Sequence, residues 1–371
     1  MAIWKIDELG EFVTLKRGYD LPQQKRKNGE IPIFSSSGVT GTHNEAMVEA
    51  PGVITGRYGT IGEVFFAETS FWPLNTTLYV ENFHENDEKF VYYFLKTLEW
   101  KKFASASAVP GINRNTVHKE IVRFPDFETQ QKIASVLSAI DKKIAVNKAI
   151  NDNLEQQAVT YFQELYINNA NPMWQIGTIS DLGTVVGGST PSKTKPEYYT
   201  NNGIAWITPK DLSINKSKFI SHGENDITEL GLKNSSATVM PKGTVLFSSR
   251  APIGYIAIAS NEVTTNQGFK SVIPYLEIGT AFVYFFLKHS LPVIESAASG
   301  STFKEISGSA MKNIPAIIPD RSTLDQFNSF CAPIFAQQKI LEDQNYSLAM
   351  LRDSLLPKLM SGAIDIAGIQ L

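Results

Sequence analysis

Residues 129–168 read TQQKIASVLSAIDKKIAVNKAINDNLEQQAVTYFQELYIN. Along this stretch Ile133, Leu137, Ile140, Ile144, Asn147, Asn151, Leu154, Ala158, Tyr161 and Leu165 fall in alternating steps of four and three. A heptad seam kept up for more than four heptads turns one narrow helix face toward a partner helix, so the stretch predicts a long helix in a coiled coil. At about 1.5 Å of rise per residue, a helix from Thr129 to Ile167 would span roughly 58 Å. Adding 194 to each seam position gives Phe327, Cys331, Ile334, Gln338, Leu341, Asn345, Leu348, Arg352, Leu355 and Leu359, a second and poorer seam. Asn151 and Asn345 coincide under this shift, and a polar seam residue weakens packing while fixing register. Pro333 should kink the second helix or mark its true start, and Pro357 should bend its last turn. Two helices of similar length most simply pair antiparallel, with the globular parts at opposite ends.

The repeat reaches outward from the helices. FVYYFLK at 90–96 recurs as FVYFFLK at 282–288, an offset of 192. Leu9-Gly10 matches Leu182-Gly183, and Ile31 to Phe34 matches Ile204 to Ile207, both at 173. Arg57 matches Arg250 at 193, with Ile61-Gly62 matching Ile253-Gly254 at 192. Asn75 matches Asn266, Gly111 matches Gly300, and Pro125-Asp126 matches Pro319-Asp320. The change of offset places an insertion in the second copy between roughly 209 and 240. Two copies of this length exclude a solenoid and indicate a two-fold duplication. Residues 1–125 and 171–318 are rich in Gly, Ser, Thr and aromatics with short β-like runs, and read as mixed α/β domains. FVYYFLK and its twin are apolar all round, which predicts buried helices. The fold class is therefore α+β: two mixed domains (1–125 and 171–318), separated by two long helical segments (126–170 and 319–371) pairing as an antiparallel coiled coil, with a pseudo-two-fold internal repeat.

Composition narrows the function. The chain has 371 residues, 43% of them apolar and 19% charged, which suits a folded protein of two or three domains. One cysteine, Cys331, excludes a disulfide framework or a multi-thiolate metal site and suggests a reducing, cytoplasmic setting. The N-terminus MAIWKIDELGEF carries charges where a secretory signal needs an apolar core, and no apolar run is long enough to span a membrane. His43, His84, His118, His222 and His289 are scattered without ligand spacing, and no phosphate-binding loop occurs. GRYGTIG at 56–62 suits a hairpin loop. PDFETQQK at 125–132 superficially matches a nuclease signature, but it lacks the ExK step and its copy reads PDRSTLDQ; Pro, Asp and Thr there suit a helix start. A lone cysteine on a heptad seam reads as core. No active site is evident, so the expectation is a chain that is not an enzyme, binds no metal and binds no cofactor itself.

Cations are locally concentrated although the formal net charge is −3. Lys16, Arg17, Lys25, Arg26 and Lys27 face a single acid in 12–28, and Lys193, Lys195, Lys210, Lys216 and Lys218 outnumber the acids of 185–222. Ser/Thr/Gly loops and then an arginine loop follow each cluster. Cations meet phosphates, small hydroxyls add phosphate or base contacts, and Arg and Asn read purine edges. A duplicated binder on a rod implies a bipartite linear polymer, for which double-stranded DNA is the natural candidate. The expected DNA contacts are Arg17, Lys25, Arg26, Lys27, Ser36, Ser37, Arg57, Tyr58, Asn113, Arg114 and Asn115 in the first domain. In the second they are Thr190, Ser192, Lys193, Lys195, Lys210, Ser249, Arg250, Asn266, Gln267 and Lys304.

Five blocks carry a resemblance: GEIPIFSSSGVTG (29–41), GGSTPSKTKPEYYTNNGIAWITPKDL (187–212), SSRAPIG (248–254) with TNQGF (265–269), ETQQKIASVLSAIDKKI (128–144) and LRDSLLPKLMSG (351–362). Together they resemble the DNA-specificity subunit of type I restriction-modification systems across nearly the whole chain. The resemblance implies two target-recognition domains, each reading half of a split DNA sequence. It also implies helices that dock two methyltransferase subunits, which bind S-adenosylmethionine, and restriction subunits that translocate and cut DNA. The subunit itself would catalyse nothing. Rival readings are a self-contained methyltransferase or nuclease with a drifted signature, and a coiled-coil scaffold that binds only protein.

Overall fold

The computed structural model describes residues 3–105, 110–300, 304–366 and Gly368. It divides into two compact units, Met1–Ala145 with Asn345–Leu371, and Val146–Gln344. Both units follow one plan.

In the first unit, strand Trp4–Glu8 pairs antiparallel with Ile121–Pro125. A four-stranded sheet runs in the order Thr14–Arg17, Thr77–Asn82, Gly52–Gly56, Val64–Ala67. A second sheet sets Ile31–Ser35 between Gly38–His43 and Trp72–Pro73, the last pair parallel. In the second unit, Gln175–Thr178 pairs antiparallel with Pro315–Ile318. Gly183–Gly187, Lys270–Pro274, Val245–Ser249 and Ile253–Ala259 repeat the four-stranded order, and Ile204–Ile207 again pairs parallel, with Thr264–Thr265. The extra material at 209–240 supplies helices Pro209–Ile214 and Glu229–Lys233 and strands Phe219–Ile220 and Asn225–Ile227. Phe219–Ile220 extends the main sheet as a fifth strand.

FVYYFLK forms helix Glu88–Lys96, capped by Asp87, whose Oδ1 accepts from Phe90 N at 2.7 Å. Its twin forms Thr280–His289, and Phe282 to Leu287 are all buried. Each such side chain contributes roughly 1.5–3 kcal/mol when fully removed from water, which makes these helices the centre of each core. Phe90, Phe94 and Phe12 gather on Phe124 in the first unit; Phe162, Tyr166 and Phe285 gather on Phe327 in the second, with Phe282 against Tyr166.

The long helices are Phe127–Gln163 and Arg321–Met360. Each begins behind an aspartate: Asp126 Oδ1 accepts from Thr129 N at 3.0 Å, and Asp320 Oδ1 from Thr323 N at 2.9 Å. All twenty seam positions are buried or half-buried. Within the second unit the helices run antiparallel, with Asn147 reaching Gln344, Asn151 reaching Gln338, and Tyr161 packing against Phe330. Two of the three polar positions in the second seam, Arg352 and Gln338, make polar contacts. Arg352 Nη1 pairs with Asp141 Oδ1 at 2.8 Å in the first unit, while Tyr93 Oη donates to Asp141 Oδ2 at 2.7 Å. Gln338 bonds the facing helix and also accepts from Lys218 Nζ at 2.6 Å.

Pro333 does not mark the start of the second helix. The helix begins at Arg321 and passes through both Pro333 and Pro357. A proline removes one intrahelical bond, and Phe327, Cys331 and Ile334, buried on either side of Pro333, hold the helix together across that gap.

Candidate nucleic-acid interface

In the first unit, the hairpin loop between Gly52–Gly56 and Val64–Ala67 carries Arg57 and Tyr58. Arg57 takes the Thr76 carbonyl with its backbone N–H at 2.9 Å, and its Nε donates to Ile112 O at 3.1 Å. Its guanidinium lies 4.6 Å from the centre of the Tyr58 ring. The ring in turn covers Gly111, where a Cβ would come within 2.1 Å of Tyr58 Cε1. Two residues further on, Asn113 caps helix Arg114–His118, accepting from Asn115 N at 3.0 Å. Ser36 approaches the same loop, since a Cβ on Gly59 would sit 3.4 Å from Ser36 Oγ. Arg57, Tyr58, Ser36 and the 113–115 turn thus share one surface. Ser37 is exposed and 3.0 Å from Ser35 Oγ.

The cationic run lies along the neighbouring hairpin. Lys27 N donates to His43 Nδ1 at 3.0 Å, and Arg26 Nη1 is 3.7 Å from where a Gly41 Cβ would be. Lys25 and Lys27 are exposed, whereas Arg26 is half-buried. Arg17 is exposed and 3.8 Å from Asp20. Lys16, by contrast, is paired with Glu81 at 2.5 Å.

In the second unit, six of the expected residues line one groove of about 700 Å³: Thr190, Lys193, Lys210, Arg250, Asn266 and Gln267. Its walls also include Trp206, Thr208 and Tyr255. Gly188 lets 188–190 press against 265–267, because a Cβ there would strike Asn266 O at 2.0 Å. Ser189 N then bonds Thr265 O at 2.8 Å, and the Thr190 hydroxyl donates to Gln267 Oε1. Trp206 Nε1 donates to Ser189 O at 3.0 Å, bracing the same segment from beneath. Asp211 closes a capping box on Thr208, accepting from its backbone N at 2.7 Å and its hydroxyl at 2.6 Å. Lys210 donates to Glu224 at 2.5 Å, and that hydrogen bond holds its ammonium above the ordinary lysine value. Arg250 pairs with Glu305 at 3.3 Å, and Glu305 also faces Lys270 at 3.7 Å. Ser192 and Lys195 are exposed on the 191–195 loop, Lys195 lying 3.7 Å from Glu197. Lys304 is exposed beside Glu305.

Two expectations need correction. Ser249 is fully buried in strand Val245–Ser249, so its hydroxyl does not reach the surface. Lys218, part of the cationic cluster in sequence, is also buried. Its ammonium bonds Glu155 and Gln338 and sits 4.3 Å from the Phe335 ring centre, and burial pushes it below the ordinary lysine value. Ser249 stands between buried Ser248 and half-buried Arg250, and Lys218 between half-buried Ser217 and Phe219; sequence neighbourhood reveals neither which face of a strand a residue takes nor what packs over a loop residue.

The pairing of Arg57 with Arg250 also shifts. Arg57 N bonds Thr76 O and Ser249 N bonds Gly268 O, both separated by 192 residues from their counterparts. Gly59 (φ +74°) and Ala251 (φ +55°) take the same left-handed turn, as do Gly62 (φ +86°) and Gly254 (φ +96°). Arg57 therefore corresponds to Ser249, and Tyr58 to Arg250. One residue of register moves a side chain to the other face. The β-bridges agree: Tyr58 with Gly111, and Arg250 with Glu305. After each bridge comes a capped short helix, with Asn113 before Arg114–His118 and Ser307 before Gly308–Lys312.

Glu305, Trp206 and Tyr255 were not among the expected residues. Thr208 and Asp211 carry a signal in the T-x-x-D spacing of a capping box. Glu305, 55 residues from Arg250, carries none.

Elsewhere the chemistry is that of packing. Burial pushes the Cys331 thiol up to about 12, as suits a core residue and not a nucleophile. Among the described residues no cluster of His, Cys, Asp and Glu is arranged to hold a metal, and no helix is long and apolar enough to cross a membrane.

Residues 1–156 and 171–343 match the family model described as the type I restriction modification DNA specificity domain. Over 162 residues the chain is 43% identical to the type I restriction enzyme MjaIX specificity subunit of Methanocaldococcus jannaschii, covering 43% of this chain but only 37% of that relative's length. It is 24% identical over 347 residues to the HindI specificity subunit of Haemophilus influenzae, covering 72% of this chain and 75% of that one. In fold it is similar to the crystal structure of a type I restriction-modification S subunit from M. genitalium, with a TM-score of 0.66 at 17% identity over 96% of both chains.

Proposed function

We propose that this chain, which belongs to the type I restriction-modification DNA-specificity family, is the non-catalytic recognition subunit of such a complex and reads a bipartite DNA target, one half-site per domain. Residues 1–125 and 171–318 are the two target-recognition domains, and 126–170 and 319–371 are the helical segments on which two methyltransferase subunits dock. S-adenosylmethionine belongs to those partners, and restriction subunits join the assembled core in the cytoplasm.

The observation that carries this reading is the repeated loop. In both units a hairpin loop is bridged to the segment before a capped short helix, at Tyr58–Gly111 and at Arg250–Glu305. Cationic and small polar side chains surround each one, which supports phosphate contact and base-edge reading at two equivalent places. The two loops differ in side chains, as two different half-sites require.

Methylation-aware sequencing of DNA from cells carrying the chain with its methyltransferase partners tests this. The expected result is a split motif with an unread spacer. A single continuous motif would overturn the bipartite reading. Turnover of DNA by the purified chain alone, given magnesium and S-adenosylmethionine, would overturn the non-catalytic one.

A further inference from the structure

The two units fill one equivalent β-bridge with two different complementary pairs. In the first unit Tyr58 faces Gly111, and the fit is one of size: the ring occupies the space a Cβ would need. In the second Arg250 faces Glu305, and the fit is one of charge, with Nη1 to Oε2 at 3.3 Å. Facing residues on paired strands are the unit of local fit. A site that changes both members together keeps the backbone frame while changing what it presents.

Arg250 presents its guanidinium to the groove formed by Thr190, Lys193, Asn266 and Gln267, and its side chain is 39% exposed. Among the described residues its one hydrogen-bonded side-chain partner is Glu305, which engages Nη1. Glu305 is held from the other side by Lys270, whose side chain is only 16% exposed, and by backbone bonds to Ser299 in both directions, at 2.9 and 3.1 Å. The acid is therefore a fixed post, and the fork it holds keeps donors on its remaining edge. A held arginine fork matches guanine O6 and N7, whereas a lysine matches only as a point charge. We infer that Arg250 reads a guanine in the half-site of the second domain, and that Glu305 is the positioning residue that aims it. This rests on the DNA-reading function proposed above.

The test uses the full chain assembled with its methyltransferase subunits. Competition binding is measured against duplexes carrying each of the four base pairs at every position of the second half-site. Arg250→Ala should lose guanine preference at one position by roughly 5- to 150-fold and leave other positions unchanged. Arg250→Lys should show the same loss while keeping the salt dependence of binding, since the charge stays. Glu305→Ala should reproduce much of that loss at that position, and Glu305→Gln, which keeps an acceptor oxygen, should restore part of it. In an Arg250→Ala background, Glu305→Ala should change nothing further in base preference.

Uniform weakening on every sequence in the arginine variants would make Arg250 a phosphate contact and overturn the inference. A further change of base preference in the double variant would show that Glu305 contacts DNA itself, and would overturn its positioning role. A wild-type complex that bound all sequences alike would overturn the DNA-reading function as well. An intact wild-type motif with unchanged Arg250 variants would overturn this inference alone.

Discussion

Gln338 and Asn151 cross-link the two long helices reciprocally: Gln338 Nε2 donates to the Asn151 carbonyl at 3.1 Å, and Asn151 Nδ2 donates to the Gln338 carbonyl at 3.4 Å. Each amide reaches past its partner's side chain to the backbone. Gln338 does a second task, accepting from Lys218 Nζ at 2.6 Å in a pocket where that ammonium is almost wholly removed from water.

The two amides should therefore respond oppositely to leucine. Asn151→Leu gives up one long bond and adds apolar packing to the seam, so it should raise the melting temperature while loosening helix register. Gln338→Leu leaves the buried Lys218 ammonium short of an acceptor, so it should destabilise by roughly 1–3 kcal/mol. Thermal unfolding of both variants decides, and the same sign for both would refute the assigned roles.

The aspartates that start the long helices should give stability a carboxylate signature at low pH. Hydrogen bonds from Thr129 N and Thr323 N hold the Asp126 and Asp320 carboxyls below their ordinary value of 3.8. A depressed folded value means the contribution is fully present above 3.8 and disappears as pH falls through the lower folded values. The double variant Asp126→Asn, Asp320→Asn keeps side-chain oxygens for capping but no charge. Its stability deficit against wild type should be constant near neutrality and shrink on acidification; chemical denaturation across that range measures it.

Lys25 and Lys27 are exposed beside a hairpin and have no constraint that would aim them at one base. Changing both to Gln should weaken binding of the assembled complex to every sequence. The slope of log affinity against log salt should fall by roughly 0.9 for each phosphate that is no longer neutralised. Weakening confined to one base position would reassign them as readers.

Replacing 171–318 with the equivalent domain of a relative should change one half of the methylated motif and leave the other letter for letter. Each unit has its own core, one on Phe124 and one on Phe327, so neither depends on the other's reading loops. Sequencing the methylated sites of cells carrying the swap provides the answer, and a change in both halves would contradict one half-site per domain.

Much of this fold was legible because its signals are periodic or repeated. Heptad spacing marked both seams, and every marked position is buried or half-buried. FVYYFLK and FVYFFLK marked the two core helices, and Pro-Asp marked both helix starts. The groove was partly legible: Thr190, Lys193, Lys210, Arg250, Asn266 and Gln267 come from separated stretches and meet in one place. Letter matching failed at Arg57, where the identical residue in the second copy lies one position off in register.

The sequence by itself determined the duplication, the two long helices with their seams and the stretches that carry the cations, because each is written in local spacing or in a copy. Only the tertiary structure decided what each cation does. Lys218 became a buried strut, Ser249 turned inward, and Arg250 acquired Glu305 as its partner. These outcomes depend on which face of a strand points to solvent and which distant strand lies opposite. A single residue of register reverses the first, and a partner 55 residues away sets the second.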